Sequence, residues 1–142
     1  MPFNGIVNIA KQDFMMGVHQ QDDLYALALY TQDQVLGPDT FIYTNIGELV
    51  AEGYQPGGIV LQGQRVDLTT NAETLQAVAT MNFQDPVWQS VSFQGVIAAM
   101  LYNKSKDNAA ISILDFGGPQ NNSNGPFTIE LSKLENGLVQ IK

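Results

Sequence analysis

The sequence predicts an all-β, antiparallel fold, a sandwich or a barrel, preceded by one short helix. Three observations carry this. Beyond Gly58, short runs of strand formers follow one another at intervals of about 8–12 positions, the spacing of antiparallel sandwiches and barrels. Turn-forming stretches separate them: Asn71-Ala72-Glu73, Gln84-Asp85-Pro86, Asn103 to Asn108, Gly117 to Gly125 and Glu135-Asn136-Gly137. No helix of crossover length lies between these runs, and parallel strands need one.

Taken in order, the segment from Pro2 to Gly17 places Phe3, Ile6, Val7, Ile9, Ala10, Phe14 and Met15 at helical intervals, with Gly17 closing it as a C-terminal cap. This is an N-terminal helical arm, 1–17, on a single domain that spans 1–142. Leu24 to Thr31 is apolar on both faces, as in a strand buried from both sides. Gly37-Pro38-Asp39 ends that region as a turn. Phe41 to Ala51 mixes strand formers with Ile46, Leu49 and Val50 at helical spacing, so a strand remnant and one helical turn are expected. Gly53, Gly57 and Gly58 force a tight excursion around Tyr54 and Pro56. Strands are expected over Gly58–Gln62, Arg65–Thr70, Thr74–Phe83, Val91–Tyr102, Ala109–Phe116, Phe127–Ser132 and Leu138–Lys142. Val66 and Leu68 alternate with Asp67 and Thr69, and Phe127, Ile129 and Leu131 with Thr128, Glu130 and Ser132, so each set should bury one face. The long polar run Gly117 to Pro126 reads as a mobile loop.

The composition narrows the function. The 142 residues include 14 acidic and 6 basic side chains, a net charge of −8, which opposes binding to phosphate backbones and anionic membranes. Zero cysteines remove disulfides, thiolate metal sites and a cysteine nucleophile together. No apolar run reaches the ~18 residues of a membrane-spanning helix, and the start lacks the pattern of a secretory signal, so synthesis in a reducing cytoplasm is expected. The 14 Gln and 11 Asn outnumber the charged residues, and lightly charged surfaces lose less on desolvation, which suits assembly.

Candidate chemistry is sparse. His19 beside Asp22 and Asp23 resembles a metal or acid–base cluster, but one histidine does not furnish the three or four ligands of a zinc site, and a solvated turn is the simpler reading. None of the six serines lies in a G-x-S-x-G elbow. Glu48 with Glu52, or Asp85 with Asp115, are the carboxylate pairs that glycoside hydrolysis would use; a solvated helical face and a turn account for them as well. Tyr25, Tyr30, Tyr43, Tyr54, Trp88, Phe93 and Tyr102 would line a sugar platform or, as strand formers, a core. Neither a cofactor nor a metal is expected.

Six motifs in order carry a resemblance: A-L-Y-T at Ala28–Thr31, Y-T-x-x-G-E at Tyr43–Glu48, G-Y-x-x-G-G at Gly53–Gly58, F-x-D-P-V-W at Phe83–Trp88, L-Y-N-x-S-K at Leu101–Lys106 and L-D-F-G at Leu114–Gly117. From about Lys11 to the C-terminus the chain resembles a small virion structural protein of tailed bacteriophages, of the capsid cement or decoration kind. The Gln-rich 32–36 stretch and the Asn-rich 120s depart from that pattern, which tends toward Ser and Thr there. The resemblance implies an N-terminal helix before an all-β domain on the capsid exterior, bridging capsomers without catalysis; with the seven or eight strands that the spacing predicts, a jelly-roll-like sandwich is expected. Its implied partners are the major capsid protein and copies of itself, as a homodimer or homotrimer, with neither nucleic acid nor membrane. The expected contact residues are Phe3, Ile6, Phe14, Tyr54, Pro56, Pro119, Asn121 and Asn122. The competing expectation is a tail or head-fibre component that binds host surface glycans.

Overall fold

The computed structural model describes residues 3–70, 73, 77–131 and 139–141. Among the described residues the sheets are antiparallel, with one short α-helix and a single 3-10 turn at Lys104–Lys106, as the spacing of strand formers predicts. In chain order the elements are β1 (Gly5–Ile6), α1 (Asn8–Met15), β2 (Tyr25–Tyr30), β3 (Ile59–Val60), β4 (Arg65–Thr70), β5 (Ala77–Asn82), β6 (Val87–Asn103), β7 (Ala109–Thr128) and β8 (Val139–Ile141). Five strands form one sheet in the order β1-β7-β6-β2-β3, and three form a second in the order β4-β5-β8.

Helix α1 is shorter than the expected 2–17 because Gly5 and Ile6 pair with Ile113 and Ser112 of β7 instead of joining it. Its end follows the sequence: Gly17 takes φ +72°, and the Val18 and Gly17 amides donate to the carbonyls of Asp13 and Phe14, closing a Schellman cap. The helix is no free arm, since Val7 and Ala10 are fully buried.

Strand β2 is buried along all six residues, as its two apolar faces require. It pairs with the C-terminal end of β6, Tyr25 opposite Asn103 through Tyr30 opposite Ala98. Met81 from the second sheet, Phe83 just beyond it, and Trp88, Val91 and Phe93 from β6 join the same buried cluster. No helical turn forms between Phe41 and Ala51; two isolated bridges, Ile42 to Ala109 and Tyr30 to Glu48, tie that segment to the sheet. The reason is Gly47, whose carbonyl takes the Thr31 amide at 2.9 Å and whose φ of +80° breaks helical continuity.

The largest correction concerns Gly117 to Pro126. These residues belong to β7, which pairs with β6 as a continuous ribbon from Ala109 to Thr128. The pairing shifts register several times between Trp88 and Ala98, and at those irregularities amide side chains replace the regular ladder. Asn121 Oδ1 accepts from the Gly95 amide at 2.9 Å, and Asn122 Nδ2 donates to the carbonyls of Val91 and Gly125 at 2.8 and 3.0 Å. The expected Phe127–Ser132 strand merges into this one; after Thr128 the chain leaves the ladder, although Ile129 and Leu131 stay buried. A second correction is that Val66 and Leu68 are 50% and 72% exposed. Register puts them on the same face as buried Met81, so the alternation is real, but this edge of the sheet lies uncovered. The turn at Glu135-Asn136-Gly137, residues 71–72 of the first separator and the outer ends of the strands expected at 74–83 and 138–142 fall outside the described residues.

Candidate functional site

Two buried polar clusters gather most of the motif residues. The first surrounds Glu48, which is 8% exposed and does not sit on a helix, whereas Glu52 is exposed. Tyr43 Oη donates to Glu48 Oε1 at 2.6 Å, while Tyr54 Oη and the Gly57 amide donate to Oε2 at 2.5 and 2.8 Å. The Tyr54 oxygen in turn accepts from the Leu29 amide at 2.9 Å. Tyr102 donates to the Gly57 carbonyl and Tyr30 to that of Thr44, and the Tyr43 ring stacks on Tyr102 with centroids 4.7 Å apart. Burial raises the Tyr102 hydroxyl to about 12, and burial with the Glu48 charge raises those of Tyr43 and Tyr54 further, so all stay protonated donors. The cluster fastens the irregular 41–58 segment onto β2 and β6.

The second cluster corrects the reading of His19, Asp22 and Asp23 as a solvated turn. His19 is 8% and Asp23 9% exposed, and only Asp22 faces solvent. Asn103, at the end of β6, reaches both: its Nδ2 lies 2.9 Å from His19 Nδ1 and donates to Asp23 Oδ2 at 2.8 Å, while its Oδ1 accepts from the Ser105 amide. Lys106 Nζ and the Gln20 amide also bind Asp23, each at 3.0 Å. With Asn103 oriented by these partners, His19 Nδ1 is an acceptor and the proton sits on Nε2. That nitrogen is buried without a hydrogen-bond partner, 3.8 Å from Asp13 Oδ2. Burial lowers the His19 pKa against the raising pull of Asp13 and Asp23, and Lys106 adds to the lowering. Burial opposes the Asp23 charge, yet the hydrogen bonds from Asn103, Gln20 and Lys106 prevail and hold its pKa down.

Of the expected contact residues, Tyr54 lies inside the first cluster. Pro56, Pro119 and Asn121 are exposed, and Asn122 is half-buried along the ribbon. Phe3, Ile6 and Phe14 are half-buried against the core. Ile6 and Phe14, with Lys11 and Met15, line a depression of about 260 Å³, and Phe14 also walls a neighbouring one of about 160 Å³ with His19, Gln21, Val66 and Met81. The sugar-platform aromatics do not share a surface: Tyr25, Tyr30, Tyr54, Trp88, Phe93 and Tyr102 are all buried. The carboxylates of the second expected pair do not meet either. Asp85 precedes Val87, whereas Asp115 faces Ala98 eleven positions further along β6, roughly 36 Å of strand length.

Sequence reasoning missed Asn103 as the joint of the second cluster, because its partner His19 is 84 residues away. The signal available was the L-Y-N-x-S-K motif itself, whose Asn, Ser and Lys all take part; Ser105 Oγ accepts from the Leu24 amide at 2.8 Å. Compared with known proteins, the chain matches no family model, no curated protein and no solved structure.

Proposed function

We propose that this chain is a non-catalytic structural protein of a tailed-phage virion, a cement or decoration protein that bridges neighbouring capsomers. One observation carries the reading: the residues that give the resemblance act as fastenings of the fold. Tyr43, Glu48, Tyr54 and Gly57 lock one loop, and Asn103, Ser105 and Lys106 lock another. Motifs of that kind specify a rigid shape. A rigid, lightly charged shape serves a lattice, where many weak contacts acting together resist internal pressure through avidity.

In this reading the partners are the major capsid protein and further copies of the chain, and the molecule sits on the capsid exterior. Quantitative mass spectrometry of purified particles tests it. Several hundred copies per particle, with shells that rupture at lower temperature once the protein is removed, are expected. A few copies at one vertex, with loss of adsorption on removal, would instead establish the glycan-binding fibre role.

A further inference from the structure

We propose that the outer edge of β4 is the site at which a second copy of this chain docks, by antiparallel strand addition about a two-fold axis at Val66. The inference deepens the self-assembly in the reading above and names the surface that performs it. It starts from how the molecule treats its sheet edges. Natural edges are kept short, or are blunted with proline and register shifts, because unpaired amides and carbonyls invite another strand. Here β1 and β3 are two residues long and β8 is three. The long outer edge of β7 carries Pro119 and Pro126, which have no N–H to offer, along a stretch with repeated register shifts. Among the described residues β4 is the long edge with neither device: six residues, no proline, and an uninterrupted register against β5.

The outward groups of β4 are identifiable. The Val66 amide points away from β5, because it donates to the side-chain Oε1 of exposed Gln21 at 3.1 Å. In an antiparallel strand the amide and carbonyl of one residue point the same way, so two copies meeting at Val66 exchange both hydrogen bonds there. Gln21 occupies that place in the single chain and swings away on pairing. Charge fixes the register. With Val66 opposite Val66, Arg65 of each copy lies opposite Asp67 of the other, in the closer, non-hydrogen-bonded pairing. Arg65 and Asp67 already attract each other within one chain, and pairing extends them into a four-membered network of alternating sign. The same approach sets the exposed Val66 of one copy against that of the other, with each exposed Leu68 diagonal to the partner copy's Val66, and the two three-stranded sheets become one of six.

The test uses the purified full chain. Because it has no cysteine, a single introduced thiol reports one position. Val66→Cys is expected to oxidise to a disulfide-linked species of twice the 15.5 kDa chain mass, while Ser123→Cys on the protected β7 edge stays monomeric. Gln21→Ala, which changes only an exposed side chain, frees the Val66 amide and should tighten the dimer roughly tenfold by sedimentation equilibrium. A chain that sediments as a monomer at every concentration would overturn the proposal. So would equal cross-linking at 66 and 123. No capsid shells are present, so this result is independent of the copy number that tests the virion role.

Discussion

At Gly58 a methyl group has no room. A Cβ there would lie 2.0 Å from the Leu27 carbonyl oxygen and 2.7 Å from the Ala28 Cα, at a φ of +83° that side chains avoid. Gly58→Ala should therefore cost about 3 kcal/mol or more in urea unfolding, whereas Gly118→Ala, which meets nothing within 4 Å, should stay within about 0.5 kcal/mol of the parent. Glu48 makes a similar demand through chemistry. Glu48→Gln keeps the shape but turns one acceptor into a donor, and both carboxylate oxygens face donors, Tyr43 on one side and Tyr54 with Gly57 on the other. A loss of about 2–3 kcal/mol is expected, with no loss if the cluster is merely crowded. His19 adds a pH dependence. Its pKa is lowered in the fold, so as pH falls below 6.5 the unfolded chain takes up the proton first, and the stability present above 6.5 is lost down to the folded value. Asp23, also lowered, is stabilising above 3.8 and loses that contribution as pH falls through its folded pKa. His19→Gln should abolish the first decline and leave the second, as read from denaturation midpoints between about pH 7 and pH 3.

At the scale of elements, what could be read locally was read well. Strand β4 is observed over Arg65–Thr70 as expected, and β2 sits where its double apolar face put it, because both patterns are complete within six residues. Strand β7 was hidden for the opposite reason. Gly117-Gly118-Pro119 and Asn121-Asn122 have turn chemistry, and what makes them a strand is hydrogen bonding to β6 residues 26 and 31 positions away. The same limit applies to Val66 and Leu68: alternation shows which face they share, but not whether another layer covers it. The clusters were half legible, their motifs visible and their convergence not. This account of β7 predicts that Asn122→Ala, which removes two side-chain hydrogen bonds at a register shift, destabilises by about 1–2 kcal/mol, although the residue has the composition of a loop. Asn122→Asp, which exchanges the donor for a second acceptor facing two carbonyls, should cost more. If both are neutral, the ribbon is not held by its amides.

The whole molecule carries −8 over 142 residues, and that charge opposes the self-assembly assigned to it. Two copies approaching along β4 feel two electrostatic effects of different range. Net repulsion acts over the breadth of both molecules. The attraction between Arg65 and Asp67 acts at contact, and the same pair leaves the β4 edge locally neutral while the remaining 13 acidic residues face 5 basic ones elsewhere. Salt separates the two, since the screening length falls from about 30 Å at 0.01 M to about 8 Å at 0.15 M. Repulsion spread over the molecule is then largely screened, and the contact pairs are screened far less. Dimerisation should accordingly strengthen several-fold across that range, the reverse of an interface built on charge attraction alone. Sedimentation equilibrium at the two ionic strengths decides it. An affinity that falls with added salt would show that the Arg65–Asp67 pairs dominate association, and that the apolar Val66 and Leu68 contribute little to holding the copies together.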